Sequence, residues 1–291
     1  MTCLENNNNN IITDNSGHFQ PFDQNYFVTW GSDHFSNINN GKEIQLTLDK
    51  SSGAGFQSKL KYASGFFGMR VKIHDQDSAG VLISYYLHSH TNDKNGGDIH
   101  DEIDLEFLGN KKGGPYFLQT NVFVNGEGNR EHKVILWFDP SADFHTYHIL
   151  WNTHQIAFFV DNIPIRVFKN SPKNKTPYPT QPLKIEGSIY CADSWVTDGG
   201  LTKINWTHAP FHAHYQGFNI AACSPAIGDQ IPNQTQINSC LSNKHWWNKR
   251  KFWRLNRGEQ EALDNVTRKY LHYDYCTDKH RYPIPPPECA L

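Results

Sequence analysis

The segment His100-Asp101-Glu102-Ile103-Asp104-Leu105-Glu106-Phe107-Leu108-Gly109 constrains the fold most, because four acids fall in ten residues and yet polar and apolar positions alternate from Glu102 onward. Alternation with a period of two belongs to a strand, whose successive side chains point to opposite sides of a sheet. Glu102, Asp104 and Glu106 then share one face, and Ile103, Leu105 and Phe107 the other. One face packs and the other is acidic, so the strand belongs to a sheet with one buried face and one open face.

Three like charges on one face repel, and packing offers nothing in return for them. A solvated strand face would mix in Lys, Thr or Ser. A calcium or magnesium site is a second reading, but such sites draw on looping backbone with Gly and carbonyl ligands. Chemistry on a sugar fits better. At ~3.3 Å per residue the Glu102 and Glu106 Cα atoms lie ~13 Å apart, and two Glu side chains leaning inward bring their carboxylates to roughly 5–6 Å, the separation of a retaining glycosidase. One carboxylate attacks the anomeric carbon. The other, protonated, serves the leaving oxygen and then acts as base for the acceptor. Asp104 between them holds a proton or hydrogen bond, and the crowding of three acids raises at least one pKa, which keeps the general acid protonated near neutral pH.

The 291 residues are ample for a large core. A net charge of −2, from 27 basic and 29 acidic residues, argues against a nucleic-acid surface built on bulk charge. The one basic run, Lys244 to Arg254, interleaves Trp246, Trp247, Phe252 and Trp253 and is weighed as a nucleic-acid patch, then set aside. Aromatic residues make up 13% of the chain, which suits rings laid against sugar faces and equally a β-rich core. No apolar run approaches ~20 residues, so no membrane span is expected. The N-terminus has no apolar signal core; a mature chain is inferred, with a disordered head over residues 1–20 that includes the Asn6 to Asn10 run.

Of six cysteines, Cys223, Cys240, Cys276 and Cys289 fall in the last quarter, which suggests two local disulfides, while Cys3 and Cys191 look unpaired. No Cys-x-x-Cys pair exists, so an oxidising compartment is the better account. The triplets beginning at Asn174, Asn205, Asn233 and Asn265 are glycosylation candidates that point the same way.

Short strands broken by Gly, Asn and Asp run from Glu43 to Trp151 and predict an all-β sandwich. The expected strands are Glu43–Leu48, Gly65–Ile73, Val81–Leu87, Ile103–Leu108, Tyr116–Val124, Lys133–Phe138 and Tyr147–Trp151. Gln155–Val160 and Ile163–Phe168 form a hairpin about Asp161-Asn162. Leu183–Tyr190 and Asn205–Phe211 follow, with Ala213–Ala222 as the last strand of the sandwich. Residues 21–222 thus form the sandwich, and 223–291 a small disulfide-tied extension. In that extension Asn256 and Glu259 look like an N-cap and its reciprocal partner, and Leu263, Val266 and Tyr270 give one helical stripe.

His88-Ser89-His90 and His212-Ala213-His214 are spaced to bind a metal on a strand face, but no third ligand of suitable spacing is evident, so no metal is expected.

The His100–Gly109 segment, Pro115-Tyr116 with Gln119-Thr120-Asn121-Val122-Phe123, and Tyr273-Asp274-Tyr275-Cys276-Thr277-Asp278 leading to Arg281-Tyr282-Pro283 resemble, in that order, the plant xyloglucan endotransglucosylase/hydrolases of glycoside hydrolase family sixteen. The likeness runs from roughly Phe22 to Cys289. It implies a jelly-roll sandwich whose concave sheet lines an open cleft, with a C-terminal extension of that cleft. It also implies a nucleophile at Glu102, a general acid/base at Glu106, a helper at Asp104 and His100 beside the nucleophile. Trp195 matches a sugar-stacking residue, and Gln119, Asn121, Arg130, Tyr273 and Arg281 match acceptor-side contacts. Cys223–Cys240 and Cys276–Cys289 match the family's two C-terminal bridges.

Leu105 stands where the family commonly has Phe, and it points away from the cleft. The segment Thr91–Ile99 and the Cys223–Cys240 loop look longer than usual and are expected to border the cleft. Ser194, Val196 and Asp198 around Trp195 also depart from the family pattern. The expected protein is a secreted, monomeric, cofactor-free enzyme of the cell wall or apoplast. It cuts a β-1,4-glucan internally and passes the fragment from Glu102 to a glucan acceptor, with hydrolysis and non-catalytic glucan binding as the alternatives.

Overall fold

The computed structural model describes residues 20–92, 96–226 and 230–290. Sixteen strands dominate it. In chain order the first eight are β1 (Tyr26–Trp30), β2 (Phe35–Ile38), β3 (Glu43–Leu48), β4 (Ala54–Ser58), β5 (Ser64–Lys72), β6 (Val81–His88), β7 (Glu102–Leu108) and β8 (Phe117–Phe123). The rest are β9 (His132–Ile135), β10 (His145–Trp151), β11 (Gln155–Val160), β12 (Ile163–Lys169), β13 (Lys184–Cys191), β14 (Phe211–Gln216), β15 (Ala221–Cys223) and β16 (Leu271–Asp274). Three α-helices, α1 (Phe22–Asn25), α2 (Gln234–Cys240) and α3 (Arg257–Tyr270), accompany them.

Two antiparallel sheets pack face to face as a jelly roll. One runs β1-β4-β13-β6-β7-β8-β9-β16 and the other β12-β11-β10-β5-β14-β3-β2, with β15 on β5. The core lies between them because the central strands of the first sheet turn their apolar residues inward. Ile103, Leu105 and Phe107 are at most 2% exposed, and the Phe107 ring meets Tyr147 of the opposite sheet edge-on, 4.7 Å between centroids. Burying side chains of this size stabilises the fold by about 1.5–3 kcal/mol each, and a one-residue slip of β7 would forfeit that and bury the acids. Gly109 closes the strand where a Cβ would meet the Ser78 carbonyl oxygen at 1.9 Å.

The hairpin about Asp161-Asn162 forms with both residues at positive φ, 47° and 66°, the backbone a two-residue hairpin turn requires. The capping box of α3 forms as well: Asn256 Oδ1 accepts from the Glu259 backbone N–H and Glu259 accepts from that of Asn256.

Several elements differ from expectation. Residues 205–211 make a 3-10 turn over Trp206–His208, since Pro210 has no N–H to give a ladder. The expected strand Ala213–Ala222 breaks at Gly217, φ 81°, into β14 and β15. The sandwich does not end there, because β16 from the extension pairs with β9 and lengthens the first sheet. The two ends of the Cys223–Cys240 loop lie at β5 of the second sheet, away from the cleft: Ala63 N–H donates to the Cys223 carbonyl and Ser64 Oγ to that of Cys240; residues 227–229 lie outside the described residues. Trp246, Trp247 and Phe252 of the basic run pack with Phe66 and Phe159 on that sheet's outer face. Cys223 pairs with Cys240 and Cys276 with Cys289; Cys191 is free and exposed. Cys3 and the rest of the head, residues 1–19, lie outside the described residues. No helix among the described residues is long and apolar enough to cross a membrane.

Candidate active site

The open face of the first sheet bears the acids in the middle of three cross-strand rows. Glu102 pairs with His88 and Phe123, Asp104 with Tyr86 and Asn121, and Glu106 with Ser84 and Gln119. The last row continues through Lys133 of β9 to Tyr273 of β16. Because alternate residues of each strand share a face, the pairing alone assembles a polar floor one residue deep. Above it lies a cleft of about 570 Å³, lined by the three acids together with Gln119, Asn121, Phe123, Glu131, Lys133, Tyr190, Trp195, Tyr273 and Arg281.

The acids have different electrostatic surroundings. Burial raises the pKa of Glu102, but hydrogen bonds from His100 and Asp104 and the charges of His88 and His100 outweigh it and hold the carboxyl below its ordinary value. His100 Nε2 sits 3.0 Å from Glu102 Oε2, and its Nδ1 is held by Asp98. The bond to Glu102, aided by Asp98 and opposed by burial, pushes the imidazole up to about 9, so a cation stands beside Glu102. Burial, followed by the charges of Glu102 and Glu106, lifts Asp104 well above the carboxylate range; it keeps its proton and with it donates a hydrogen bond to the ionised Glu102. Burial also pushes Glu106 up to about 7, against the hydrogen bond from Gln119 and with the Glu102 charge adding to the rise. Gln119 Nε2 reaches Glu106 Oε2 at 2.7 Å. The arrangement therefore presents, near neutral pH, an ionised Glu102 and a proton-bearing Glu106 on one floor.

Trp195 follows β13 and packs against a small apolar cluster of Leu82, Leu108, Ala192 and Val196 while facing the cleft. At the other end Tyr273 donates to Asp278 at 2.9 Å, and Arg281 donates to Glu131 at 2.7 Å and also to Asn129. These bonds hold two side chains from the extension over the end of the cleft.

Arg130 differs from its sequence-based reading as an acceptor-side contact. It is 7% exposed, donates to Glu288 at 2.7 Å and to the backbone carbonyls of Val122, Glu127 and Gly128, and does not line the cleft. A buried guanidinium needs its donors satisfied, and here they tie the extension to the sheet. Its backbone N–H donates to Asn121 Oδ1 at 3.0 Å, which orients Asn121.

The sequence reading missed Tyr86, His88, Phe123, Lys133, Glu186 and Tyr190 on the same open face. Phe123 lies two residues from Asn121, whereas for the others, on β6, β9 and β13, the only signal is alternation within their own strands. It becomes usable only once the strand pairing is known. The expectation that the His88-Ser89-His90 pair lacks a third ligand fails for the same reason, because Glu186 comes beside it from β13. Of Thr91–Ile99, the described ends bridge at Asn92 and Asp98, so that Asp98 reaches His100 at the Glu102 end of the cleft; residues 93–95 lie outside the described residues. Asn174, Asn205 and Asn233 are exposed and Asn265 half-buried within α3.

Residues 22–208 match the family of glycosyl hydrolases family 16, and residues 241–289 match the xyloglucan endo-transglycosylase (XET) C-terminus. The chain is 52% identical over 268 residues to xyloglucan endotransglucosylase/hydrolase protein 2 of Arabidopsis thaliana, covering 92% of this chain and 88% of that one. It is 47% identical over 271 residues to the probable xyloglucan endotransglucosylase/hydrolase 1 of Solanum lycopersicum, with 93% and 88% covered. The Bacillus licheniformis beta-glucanase shares the fold, with a TM-score of 0.55 at 24% identity over 68% of this chain and 94% of that one.

Proposed function

Because the chain belongs to glycosyl hydrolases family 16, among the plant xyloglucan endotransglucosylase/hydrolases, we propose that it is a retaining endo-transglycosylase of xyloglucan or a related β-1,4-glucan. The observation that carries the reading is the split protonation of two carboxyls on one strand at the floor of an open cleft: Glu102 ionised, Glu106 holding its proton up to about pH 7.

Glu102 attacks the anomeric carbon of a glucose unit inside the donor chain, and the glycosidic bond breaks as Glu106 gives its proton to the departing oxygen. The fragment stays as an ester on Glu102. His100 and Asp104, both bonded to Glu102, stabilise the carboxylate before attack and as it leaves. Glu106, now a base, takes the proton of an acceptor hydroxyl, and that oxygen displaces Glu102 with a second inversion. Tyr273 and Arg281 at one end and Trp195 on the wall offer hydrogen bonds and a stacking surface for the glucan. An acceptor held there outcompetes water, which favours transfer over hydrolysis.

A cell-wall setting outside the cell is supported by the two disulfides, which persist in oxidising compartments, and by the exposed Asn174, Asn205 and Asn233 triplets. One chain supplies every wall of the cleft, so a monomer suffices. Non-catalytic glucan binding is disfavoured, since a binding protein gains nothing from acids driven to opposite protonation states.

The test is incubation with xyloglucan and other β-glucans plus a labelled oligosaccharide acceptor, followed by sizing of the label. Growth of label into polymer is expected, and Glu102→Ala should abolish it. Shortening of the donor without incorporation would make the enzyme a hydrolase, and cleavage that survives Glu102→Ala would overturn the nucleophile.

A further inference from the structure

On the side of Glu102 away from Tyr273 and Arg281, three side chains that the bond-breaking steps do not use converge. His88 ends β6, His90 follows two residues later, and Glu186 stands on β13, which pairs β6 so that Lys184 opposes His88 and Glu186 opposes Tyr86. His88 Nδ1 lies 3.9 Å from Glu186 Oε1, His90 Nε2 is bonded to that same oxygen, and the two imidazole rings stand edge to face with centroids 4.1 Å apart. The three ligand atoms fall within 4.8 Å of one another. His88 Nδ1 is buried with no hydrogen-bond partner, an arrangement that costs stability unless a donor or an ion meets it. His90 adopts φ 54°, a left-handed conformation uncommon among residues other than glycine.

We propose that His88, His90 and Glu186 form a binding site for a divalent transition ion of the zinc class, and that its occupancy inhibits the enzyme. Two imidazole nitrogens and one carboxylate oxygen are a donor set that zinc takes in tetrahedral coordination, with water in the fourth place. Calcium and magnesium favour all-oxygen sites and are disfavoured here. Glu186 is 7% exposed, and its second oxygen accepts from the Tyr86 hydroxyl at 2.9 Å, the outer support that aims a metal ligand. The link to the reaction is His88. Its other nitrogen, Nε2, lies 3.7 Å from Glu102 Oε2, so an ion on Nδ1 places two positive charges one ring away from the nucleophile and weakens it. The ion and its water also fill part of a cavity of about 210 Å³ bounded by Tyr86, His88, His90 and the acids, directly beside Glu102 on the floor that the glucan crosses.

The binding claim stands without the activity, and only the inhibition claim rests on the proposed transfer reaction. Zinc chloride is titrated calorimetrically into the intact protein in a non-chelating buffer, and transfer is assayed over the same zinc range and again after EDTA. One ion per chain is expected, with transfer falling in step with occupancy, competitively against the donor polysaccharide, and returning with EDTA. His90→Ala, assayed against its own zinc-free rate, should bind zinc more weakly by roughly tenfold or more and resist inhibition. His212→Ala, in the second His-x-His pair, should change neither. No binding heat up to millimolar zinc overturns the site, as does a His90→Ala protein that binds like the parent or a His212→Ala protein that no longer binds. Binding without inhibition in an active enzyme overturns the inhibitory role alone. A protein inactive on every glucan yet binding zinc through His90 overturns the enzyme reading and leaves the metal site standing.

Discussion

Glu102 and Glu106 repel one another across Asp104, and the fold keeps them together by letting one of them stay protonated. That choice has a thermodynamic consequence. The Glu106 carboxyl is raised from an ordinary 4.5 to about 7, so between those values the folded chain holds a proton that the unfolded chain has lost. Stability then declines as pH rises through this window and the full penalty stands above pH 7. Glu106→Gln cannot ionise, so it should unfold at a higher temperature than the parent at pH 8, the gap corresponding to on the order of 3 kcal/mol, and the two should converge below pH 4.5. The same change removes the proton donor and should lower transfer by roughly 10²–10⁴-fold. Calorimetric melting from pH 4 to 8 together with the transfer assay measures both. Melting temperatures that stay parallel across the range would mean that Glu106 is not held protonated.

At the scale of elements, what could be read from the chain depended on whether a strand's identity is local. β3 falls where alternation puts it, at Glu43–Leu48, and β11 where the Asp161-Asn162 turn bounds an apolar run, at Gln155–Val160. β1, β2, β4 and β16 went unread: β1, β2 and β16 are short edge strands and β4 a five-residue strand beside β1, and β1 and β16 have ladder partners far away in the chain, Tyr26 opposing Ser58 and Asp274 opposing His132. A four-residue strand such as β16 has little hydrophobic pattern of its own. Arg130 was misjudged for a related reason, since nothing local says that its partner is Glu288, 158 residues away. The pair predicts its own test. Glu288→Ala leaves a buried guanidinium without its carboxylate, which should cost about 3–5 kcal/mol, seen as a lower urea midpoint at unchanged slope. A loss under 1 kcal/mol would mean that the guanidinium finds water and that the ion pair does not hold the extension in place.

For the whole molecule, the acidic triplet was legible because its spacing lies inside one strand, while the cleft around it was not, because the cleft is a product of pairing. Tyr190, Lys133 and Glu186 reach the open face only through registers among β6, β9, β13 and β16 that bring together residues from positions 81 to 274. The extension is thus part of the sheet that bears the acids, and its bridge lies beside the strand that carries Tyr273 to the cleft. Cys276 follows Tyr273 and Asp274 at the end of β16, and Cys289 adjoins Glu288, so the Cys276–Cys289 bond clamps the strand that presents Tyr273 to the ion pair that anchors it. Removing a bridge with a loop this short costs about 2–4 kcal/mol, which the sandwich core withstands but a marginal edge strand does not. The double variant Cys276→Ser, Cys289→Ser should therefore stay folded at 25 °C yet lose acceptor binding: KM for the labelled acceptor rises several-fold, donor cleavage changes less, and the ratio of transfer to hydrolysis falls. The acids lie on β7, two strands in from β9, where the ladder does not depend on the bridge. Equal loss of transfer and hydrolysis in the folded variant would show that the extension supports the whole cleft and not its acceptor end.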